Sequence, residues 1–393
     1  MFRNLRHRAV RVQDGLVLQL HRYVPEGGVP PERLPVLLLH GASASHSTFT
    51  TPAGGIARWL ATEGHGFEPY DVWLLDWRGS NRILDRENRT QLDDASVFSF
   101  NAAARHDVPA AIRYITWTAK LRPISAIGFC MGGAILAEAI ALGHIAHADV
   151  NRVVLMTMGL FYETPIDGRL KSEERVLERL KGTAIGKPPA PFLSLNPSVS
   201  RPMSPGKFAL RQRWPIELEG FYDTWPKQLR YHLDDDRQPF DEMCNRLSFM
   251  LGMFYEHENL NPGLHADGDD CVAAQFGPMA LNLFIHGARN VRVGHATYYP
   301  DTPPDRSDSD FVSDAARERF TCLDNVTLIT GARNRLWHRD SIDRMYEWLC
   351  RDGRNRGRFQ KHVLEKYGHQ DLLWGCDSPT EVFPRIEQGL RAQ

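Results

Sequence analysis

The sequence contains few cysteines and no excess of charge of either sign. Its 393 residues include six Cys, 47 Lys plus Arg and 48 Asp plus Glu, so the formal net charge is −1. A balanced charge predicts no nucleic-acid partner, because nucleic-acid-binding domains carry a basic surface. No two cysteines form a Cys-x-x-Cys pair, which argues against a zinc site or a disulfide framework. We expect no metal or other cofactor, and a reducing compartment, the cytoplasm.

Long apolar runs are absent as well. No run approaches the roughly 20 apolar residues that span a bilayer, so we expect no integral membrane segment. The basic segment at 1–8 is not followed by an apolar stretch, and we expect no signal peptide. The chain nevertheless exceeds the roughly 250–300 residues at which one hydrophobic core usually stops growing. This length predicts either two domains or one large domain with an insertion.

Short apolar runs, in contrast, are frequent and alternate with helical patterns. The turn Asp14-Gly15 predicts an opening β-hairpin. Further predicted elements are buried strands at 36–39, 72–75, 124–127, 153–156, 326–330 and 359–364, and helices at 102–119, 131–142, 341–350 and 381–390. Strands that alternate with helices are typical of an α/β fold with a mostly parallel, doubly wound sheet.

The alternation is interrupted over residues 164–299. This part is rich in Pro, Met and Trp, contains no clear buried strand, and predicts short amphipathic helices at 173–181 and 241–255. Such a segment is typical of an inserted helical cap. We therefore predict a core domain in two parts, residues 1–163 and 300–393, with the cap between them.

The most specific motif is the run from Gly128 to Gly133, Gly-Phe-Cys-Met-Gly-Gly, which directly follows a predicted strand and opens a predicted helix. A nucleophile between two glycines at a strand-to-helix turn is the pattern of a nucleophile elbow, because the turn is strained and neighbouring backbones come close. Gly128 and Gly132 would permit that approach, and Cys130 is the candidate nucleophile. The helix N-terminus and a nearby imidazolium are expected to lower the pKa of the thiol. A buried structural cysteine is the alternative interpretation.

A second motif, His40-Gly41-Ala42, follows the predicted strand at 36–39. In a loop of this kind the backbone N–H after His-Gly points at a developing oxyanion. We therefore predict a two-donor oxyanion hole from the backbone N–H groups of Ala42 and Met131. The side chain of His40 is expected to shape the loop.

A base and a third catalytic residue are expected near the carboxyl terminus. His369 lies in a Gly-His loop between the last predicted strand and the last helix, and it is the candidate general base. Asn334 stands where an acid is usual; its amide could accept a hydrogen bond from the imidazole, and a thiolate–imidazolium pair needs no strong carboxylate. Asp340, whose other role would be a helix N-cap, and Glu163 are the alternative candidates.

These motifs resemble those of α/β hydrolases, which have the chain order nucleophile, acid, histidine. The Asp14-Gly15 hairpin, the His40-Gly41 loop and the segment 71–80 are similar to acid lipases. The segments 246–261 and 367–371 resemble the hydrolase domains fused to bacterial cholesterol-oxidase-like flavoenzymes. The cysteine elbow is similar to that of dienelactone hydrolases and polyhydroxyalkanoate synthases. The resemblance implies an α/β-hydrolase fold with an inserted helical cap, acyl chemistry and, from the fused domains, a possible flavoenzyme partner.

The chain also departs from these families. Acid lipases have Ser where this chain has Cys130, and dienelactone hydrolases have Asp where it offers Asn334. We expect a thiol-dependent hydrolase of a lipid-like or apolar carboxylic ester, with an acyl-Cys130 intermediate and His369 as general base. Two alternatives stay open: an acyltransferase that uses the same intermediate, and a non-catalytic binding module with the hydrolase fold.

Overall fold

The computed structural model describes residues 2–25, 27–30, 33–62, 65–83, 97–120, 123–181, 192–194, 255–256, 258–265 and 272–391. The predicted helix at 241–255 lies outside these ranges except for its last residue. Most of the segment 246–261, which carries part of the family resemblance, also lies outside them.

The described ranges contain ten strands, eight of them in one sheet. They are β1 Phe2–Arg11, β2 Val17–Pro25, β3 Val36–Leu39, β4 Val72–Asp76, β5 Ile124–Phe129, β6 Val150–Met156, β7 Phe192–Ser194, β8 Pro278–Ala280, β9 Asn325–Gly331 and β10 Gln360–Leu364. The sheet has the order β1-β2-β4-β3-β5-β6-β9-β10. β2 is antiparallel to both of its neighbours, and the remaining pairs are parallel. Every residue of β3, β4, β5 and β9 is buried, as expected for strands covered on both faces.

Helices occur between the strands. They are α1 Gly55–Leu60, α2 Phe100–Ala102, α3 Val108–Ala119, α4 Met131–Ala141, α5 Ile166–Glu173, α6 Val176–Lys181, α7 Val272–Gln275, α8 Leu281–Val293, α9 Asp314–Thr321, α10 Asp340–Cys350, α11 Asp371–Trp374, α12 Ser378–Glu381 and α13 Phe383–Leu390. α1 and α13 pack against each other, and α4 contacts α3 and α9. This is the arrangement of a doubly wound sheet. None of the helices in the described ranges is long and apolar enough to cross a membrane.

The predicted fold class is confirmed, and the structure corrects three helices. The helix predicted at 102–119 contains a π-helical turn, Ala103–Asp107, just before Pro109, whose missing N–H interrupts the regular ladder. The helix predicted at 381–390 begins two residues later, at Phe383, as α13, and the short α12 precedes it. The helix predicted at 173–181 begins only at Val176, as α6, and Arg175, which has a φ of 51°, lies between it and α5.

The middle part of the chain, in which the sequence shows no clear buried strand, contains a short strand pair. β7 and β8 form a short antiparallel pair there, outside the main sheet. Each has only three residues, too few to give an apolar pattern in the sequence. The boundaries of the cap stay a prediction.

The parallel strands place four loops at the same edge of the sheet. These loops follow β3, β5, β9 and β10, which are neighbours or near neighbours in the strand order. In open α/β sheets, ligands bind at this edge, outside the carboxyl ends of the strands. The candidate residues of the sequence lie in these loops.

Candidate active site

Cys130 occupies a strained turn between β5 and α4. Its backbone has φ 55° and ψ −126°, a conformation that residues with a side chain rarely adopt. A Cβ on Gly128 would lie 2.5 Å from the Cα of Gly133, and one on Gly132 would lie 2.1 Å from the carbonyl oxygen of Leu39. Both distances are too short for any non-bonded contact, so only glycine fits at these two positions. The turn therefore has the geometry of a nucleophile elbow.

The loop after β3 lies directly against this turn. A Cβ on Gly41 would be 3.0 Å from the Cβ of Cys130. The backbone N–H groups of Met131 and Ala42 both face the sulfur. The two donors therefore point towards one place, as the donors of an oxyanion hole must. His40 is fully buried, with its Nδ1 2.7 Å from the carbonyl oxygen of Gly41, and burial lowers its pKa to about 4. Its contacts are those of a residue that shapes the loop.

His369 lines the same cavity as Cys130. The empty volume of this cavity, with its mouth included, is about 420 Å³, and Ala42, Met131 and Trp337 also line it. The His369 side chain is buried, and its Nδ1 has no hydrogen-bond partner. The structure thus brings together the candidate nucleophile, the candidate base and the two N–H donors from loops far apart in sequence.

Cys130 and His369 are both neutral in the ligand-free protein, contrary to the expected thiolate–imidazolium pair. Burial raises the pKa of Cys130 to about 11, and the N–H groups of Met131, Trp337 and Ala42 offset only part of this effect. Burial also lowers the pKa of His369 to about 3. A low-dielectric cavity disfavours both charged forms, and no charged side chain of the described residues is among the causes of either shift. Neither group therefore carries a charge before a substrate binds.

We expect Cys130 to be alkylated slowly at neutral pH. Iodoacetamide reacts with the thiolate, so the rate should rise about tenfold per pH unit until the pH approaches the pKa of about 11. Peptide mass spectrometry can follow Cys130 separately from the other cysteines. Alkylation of Cys130 at neutral pH as fast as that of free glutathione would contradict the raised pKa.

Asn334 lies beside the loop that carries His369. The backbone N–H of Arg333 donates to the carbonyl of Tyr367 at 3.0 Å and joins the two loops. The Oδ1 atom of Asn334 accepts from the backbone N–H of Trp337 and from that of the preceding residue, both at 3.1 Å. Its Nδ2 atom is buried and has no partner. Asn334 thus shapes the loop that carries Trp337, and the expected hydrogen bond with the imidazole is absent from the structure.

The other two acid candidates have partners away from the cavity. Asp340 is the first residue of α10; its side chain is 54% exposed and lies 3.1 Å from the Nδ1 atom of His338. Glu163, which lies between β6 and α5, forms an ion pair with Arg344 of α10. Neither residue lines the cavity that contains His369. Neither forms a hydrogen bond with the Nδ1 atom of His369, which has no partner.

Trp337 is a site residue that the sequence analysis missed. Its side chain is buried, it lines the Cys130 cavity and its indole N–H faces the sulfur. That N–H has no hydrogen-bond partner within bonding distance, because the neutral thiol is a weak and more distant acceptor. No sequence pattern distinguishes this tryptophan from the other eight; only its place three residues after Asn334 brings it to the cavity.

One cluster in the described ranges has the composition of a metal site. It consists of His21, His46 and Asp76 beside the loop after β3. The two imidazoles stack, with ring centroids 3.5 Å apart and planes 20° apart, so an ion midway between them would lie about 1.8 Å out of each ring plane. A metal–nitrogen bond of about 2.1 Å lies close to the ring plane, and the stacking therefore does not fit a shared ion.

Hydrogen bonding accounts for this cluster instead. The Oδ2 atom of Asp76 lies 3.1 Å from the Nε2 of His21 and 2.9 Å from the Nδ1 of His46. Burial would raise the pKa of Asp76, but His46 and His21 hold it well below its usual range. The carboxylate thus ties β2 and the start of the 3₁₀ turn at His46–Phe49 to the end of β4.

The fold and the arrangement of these loops define an α/β hydrolase. The sequence profile of the alpha/beta hydrolase family matches residues 36–385, and the chain belongs to this family. It is 31% identical to lipase member M of Homo sapiens over 390 residues, which are 96% of this chain and 80% of that protein. It is 33% identical to gastric triacylglycerol lipase of Rattus norvegicus over 385 residues, which are 95% of this chain and 85% of that protein.

A solved structure supports the same fold. A thermostable carboxyl esterase from Bacillus coagulans, in complex with glycerol, superposes with a TM-score of 0.56. The alignment covers 99% of each chain at 11% sequence identity. At this identity the similarity supports the fold alone.

Proposed function

We propose that the protein is a thiol-dependent hydrolase of apolar carboxylic esters, with Cys130 as nucleophile and His369 as general base. The observation that carries this proposal is the shared cavity, in which the sulfur stands on a strained elbow and two backbone N–H groups face it. The similarity to lipases supports an ester as the substrate. A cap formed by residues 164–299, as the sequence predicts, belongs to the same proposal.

The proposed reaction has two half-reactions. His369 accepts the thiol proton while the sulfur attacks the ester carbonyl, and the N–H groups of Ala42 and Met131 hold the resulting oxyanion. Collapse of the tetrahedral intermediate breaks the ester C–O bond, and the leaving alkoxide takes the proton from His369. Water then gives its proton to His369 and attacks the thioester, which releases the acid and returns the proton to Cys130.

Trp337 supplies a third donor to this reaction. In the free protein its indole N–H faces a poor acceptor, whereas the oxyanion is a strong one and lies next to the sulfur. Its contribution is therefore larger in the transition state than in the ground state, which is the condition for a catalytic effect.

Replacement of Trp337 by phenylalanine should lower kcat about tenfold and leave KM nearly unchanged, since two other donors remain. The melting temperature should fall less than in the control below, because both changes shorten a buried ring but the lost Trp337 N–H has no partner. Trp348→Phe is the matched control: that indole donates to the carbonyl of Val312 at 2.9 Å and does not line the cavity. The control should lose stability and keep its kcat. Equal kcat in the two variants would contradict a role for the Trp337 N–H.

The primary test of the proposed function is intact-protein mass spectrometry after brief mixing with a medium-chain p-nitrophenyl ester. An added mass equal to the acyl group, together with release of nitrophenol, is expected in the wild type. Addition of an alcohol separates hydrolysis from acyl transfer, because a transferase would give a new ester in place of the free acid. A protein that binds the ester but gives neither adduct nor nitrophenol would be a binding module.

The unpartnered Nδ1 of His369 favours the non-catalytic alternative, because no hydrogen bond from the described residues to this atom orients the imidazole. A flavoenzyme partner and a cytoplasmic location stay predictions from the sequence.

A further inference from the structure

A second, larger cavity adjoins the one that contains Cys130. Its empty volume, with its mouth included, is about 750 Å³. The two cavities share four lining residues: Ala42, Met131, Leu336 and Trp337. These include both backbone donors of the proposed oxyanion hole. A group that is bound at the sulfur can therefore extend into the larger cavity.

The walls of the larger cavity differ in polarity. Half of its described lining comes from α6, β8 and α8 and carries no polar side chain: Val176, Leu177, Met279, Leu283, Phe284, Gly287, Ala288 and Val291. The part of the wall at α5, which packs against α8, contains Thr164, Gly168, Lys171 and Ser172. Lys171 is the only charged residue among the described lining residues.

The polar wall is built around Gly168 of α5. A Cβ at position 168 would lie 3.1 Å from the Oγ1 atom of Thr164, so the absence of a side chain leaves room for that hydroxyl beside the helix. The Thr164 Oγ1 atom is buried and has no hydrogen-bond partner. Lys171 lies one turn further along the same helix. The hydroxyl of Ser172, in contrast, already donates to the carbonyl of Ala288.

The charge of Lys171 is compensated by a carboxylate. Its Nζ atom lies 3.3 Å from the Oδ2 atom of the buried Asp167. A ligand carboxylate would add an uncompensated negative charge to an apolar cavity, which is costly. A neutral hydroxyl adds no charge; it can accept from the ammonium and donate to the Thr164 oxygen.

We propose that the larger cavity binds the acyl part of the substrate and that this acyl chain carries a hydroxyl group, held by Thr164 and Lys171. The assignment of the acyl part rests on the proposed function: His369 protonates the leaving alcohol, so the alcohol lies in the smaller cavity with His369 and the acyl chain in the other. The substrate class is thus an ester of a medium-chain hydroxy acid.

The test uses p-nitrophenyl esters of one fatty acid. One ester has no hydroxyl, and each of the others has a single hydroxyl on a different carbon in the half of the chain farther from the ester group. We expect kcat/KM for one hydroxylated isomer to exceed that of the plain ester about tenfold. An analogue of the ester with a terminal carboxylate should have a lower kcat/KM than either. Thr164→Val should reduce the preference to about twofold or less. The double variant Asp167→Asn/Lys171→Met, which removes both charges together, should do the same. Lys120→Met, on the surface after α3, is the control and should keep the preference.

A binding experiment separates this inference from the proposed function. Isothermal titration of the free hydroxy acid and of the plain acid into Cys130→Ala protein needs no turnover. About tenfold tighter binding of one hydroxy acid, lost in Thr164→Val, would support the hydroxyl site even if no ester is cleaved. Plain acids and esters that are bound and cleaved at least as well as every hydroxylated isomer would overturn it, and so would a preference that both cavity variants leave intact.

Discussion

Replacement of Cys130 by alanine should reduce ester turnover by about 10⁴-fold or more, since no other thiol is among the described residues that line the cavity. The acyl adduct should disappear with it. The buried sulfur contributes to packing, and its loss should lower the free energy of unfolding by only about 1 kcal/mol. Nitrophenol release at substrate saturation and thermal unfolding measure the two effects.

Cys350→Ala is a matched control for this experiment. Cys350 is also a buried free thiol, but it lies at the end of α10 and does not line either cavity. Its replacement removes the same atoms, so it should have a similar effect on stability and none on turnover. Retention of a few per cent of activity in Cys130→Ala, or an equal loss in the control, would place the nucleophile elsewhere.

Replacement of Asn334 by aspartate should increase kcat about 100-fold, within the range that a well-oriented general base supplies. Two backbone N–H groups donate hydrogen bonds to Oδ1 of Asn334 and fix the orientation of the amide. The substitution therefore replaces the buried Nδ2 atom, which has no partner, by an oxygen. An oxygen there could accept a hydrogen from the equally unpartnered Nδ1 of His369. In serine enzymes the reverse change, acid to amide, costs about 10⁴-fold.

The same substitution should alter the pH dependence of kcat/KM. In the wild type the pKa of His369 is lowered to about 3, so the imidazole is neutral at any pH well above 3. A carboxylate next to the imidazole favours the protonated form and raises this pKa. The acid limb of the profile should therefore move up towards about pH 6 in Asn334→Asp. Asp340→Asn, which changes an exposed carboxylate, should keep the wild-type profile. An unchanged limb in Asn334→Asp would show that position 334 does not reach the imidazole.

The sequence was sufficient to predict the order of the core elements and the loops that meet at the site. Each of these predictions rests on a local pattern: apolar runs for the central strands, and glycines on both sides of Cys130 for the elbow. His369 was found in the same way, from its place after the last strand.

The protonation states and the cavity walls could not be predicted from local patterns. The raised pKa of Cys130 follows from desolvation by residues distant in sequence, whereas the N-terminus of α4 is visible in the sequence and suggests the opposite direction. Trp337 and Thr164 become notable only because their polar atoms are buried without a partner, which is a property of the folded chain. The π-helical turn before Pro109 could be predicted only in part. The proline is visible in the sequence, but its effect on the preceding turn is not.

The neutral state of the buried thiol has a consequence for oxidative damage. Hydrogen peroxide oxidises cysteine through the thiolate, and at neutral pH a pKa of about 11 leaves only about one Cys130 in 10⁴ in that form. Cys130 should therefore resist conversion to sulfenic acid far better than the low-pKa cysteines of redox sensors. A nucleophile that becomes reactive only as its proton is removed during attack is protected from oxidants between turnovers.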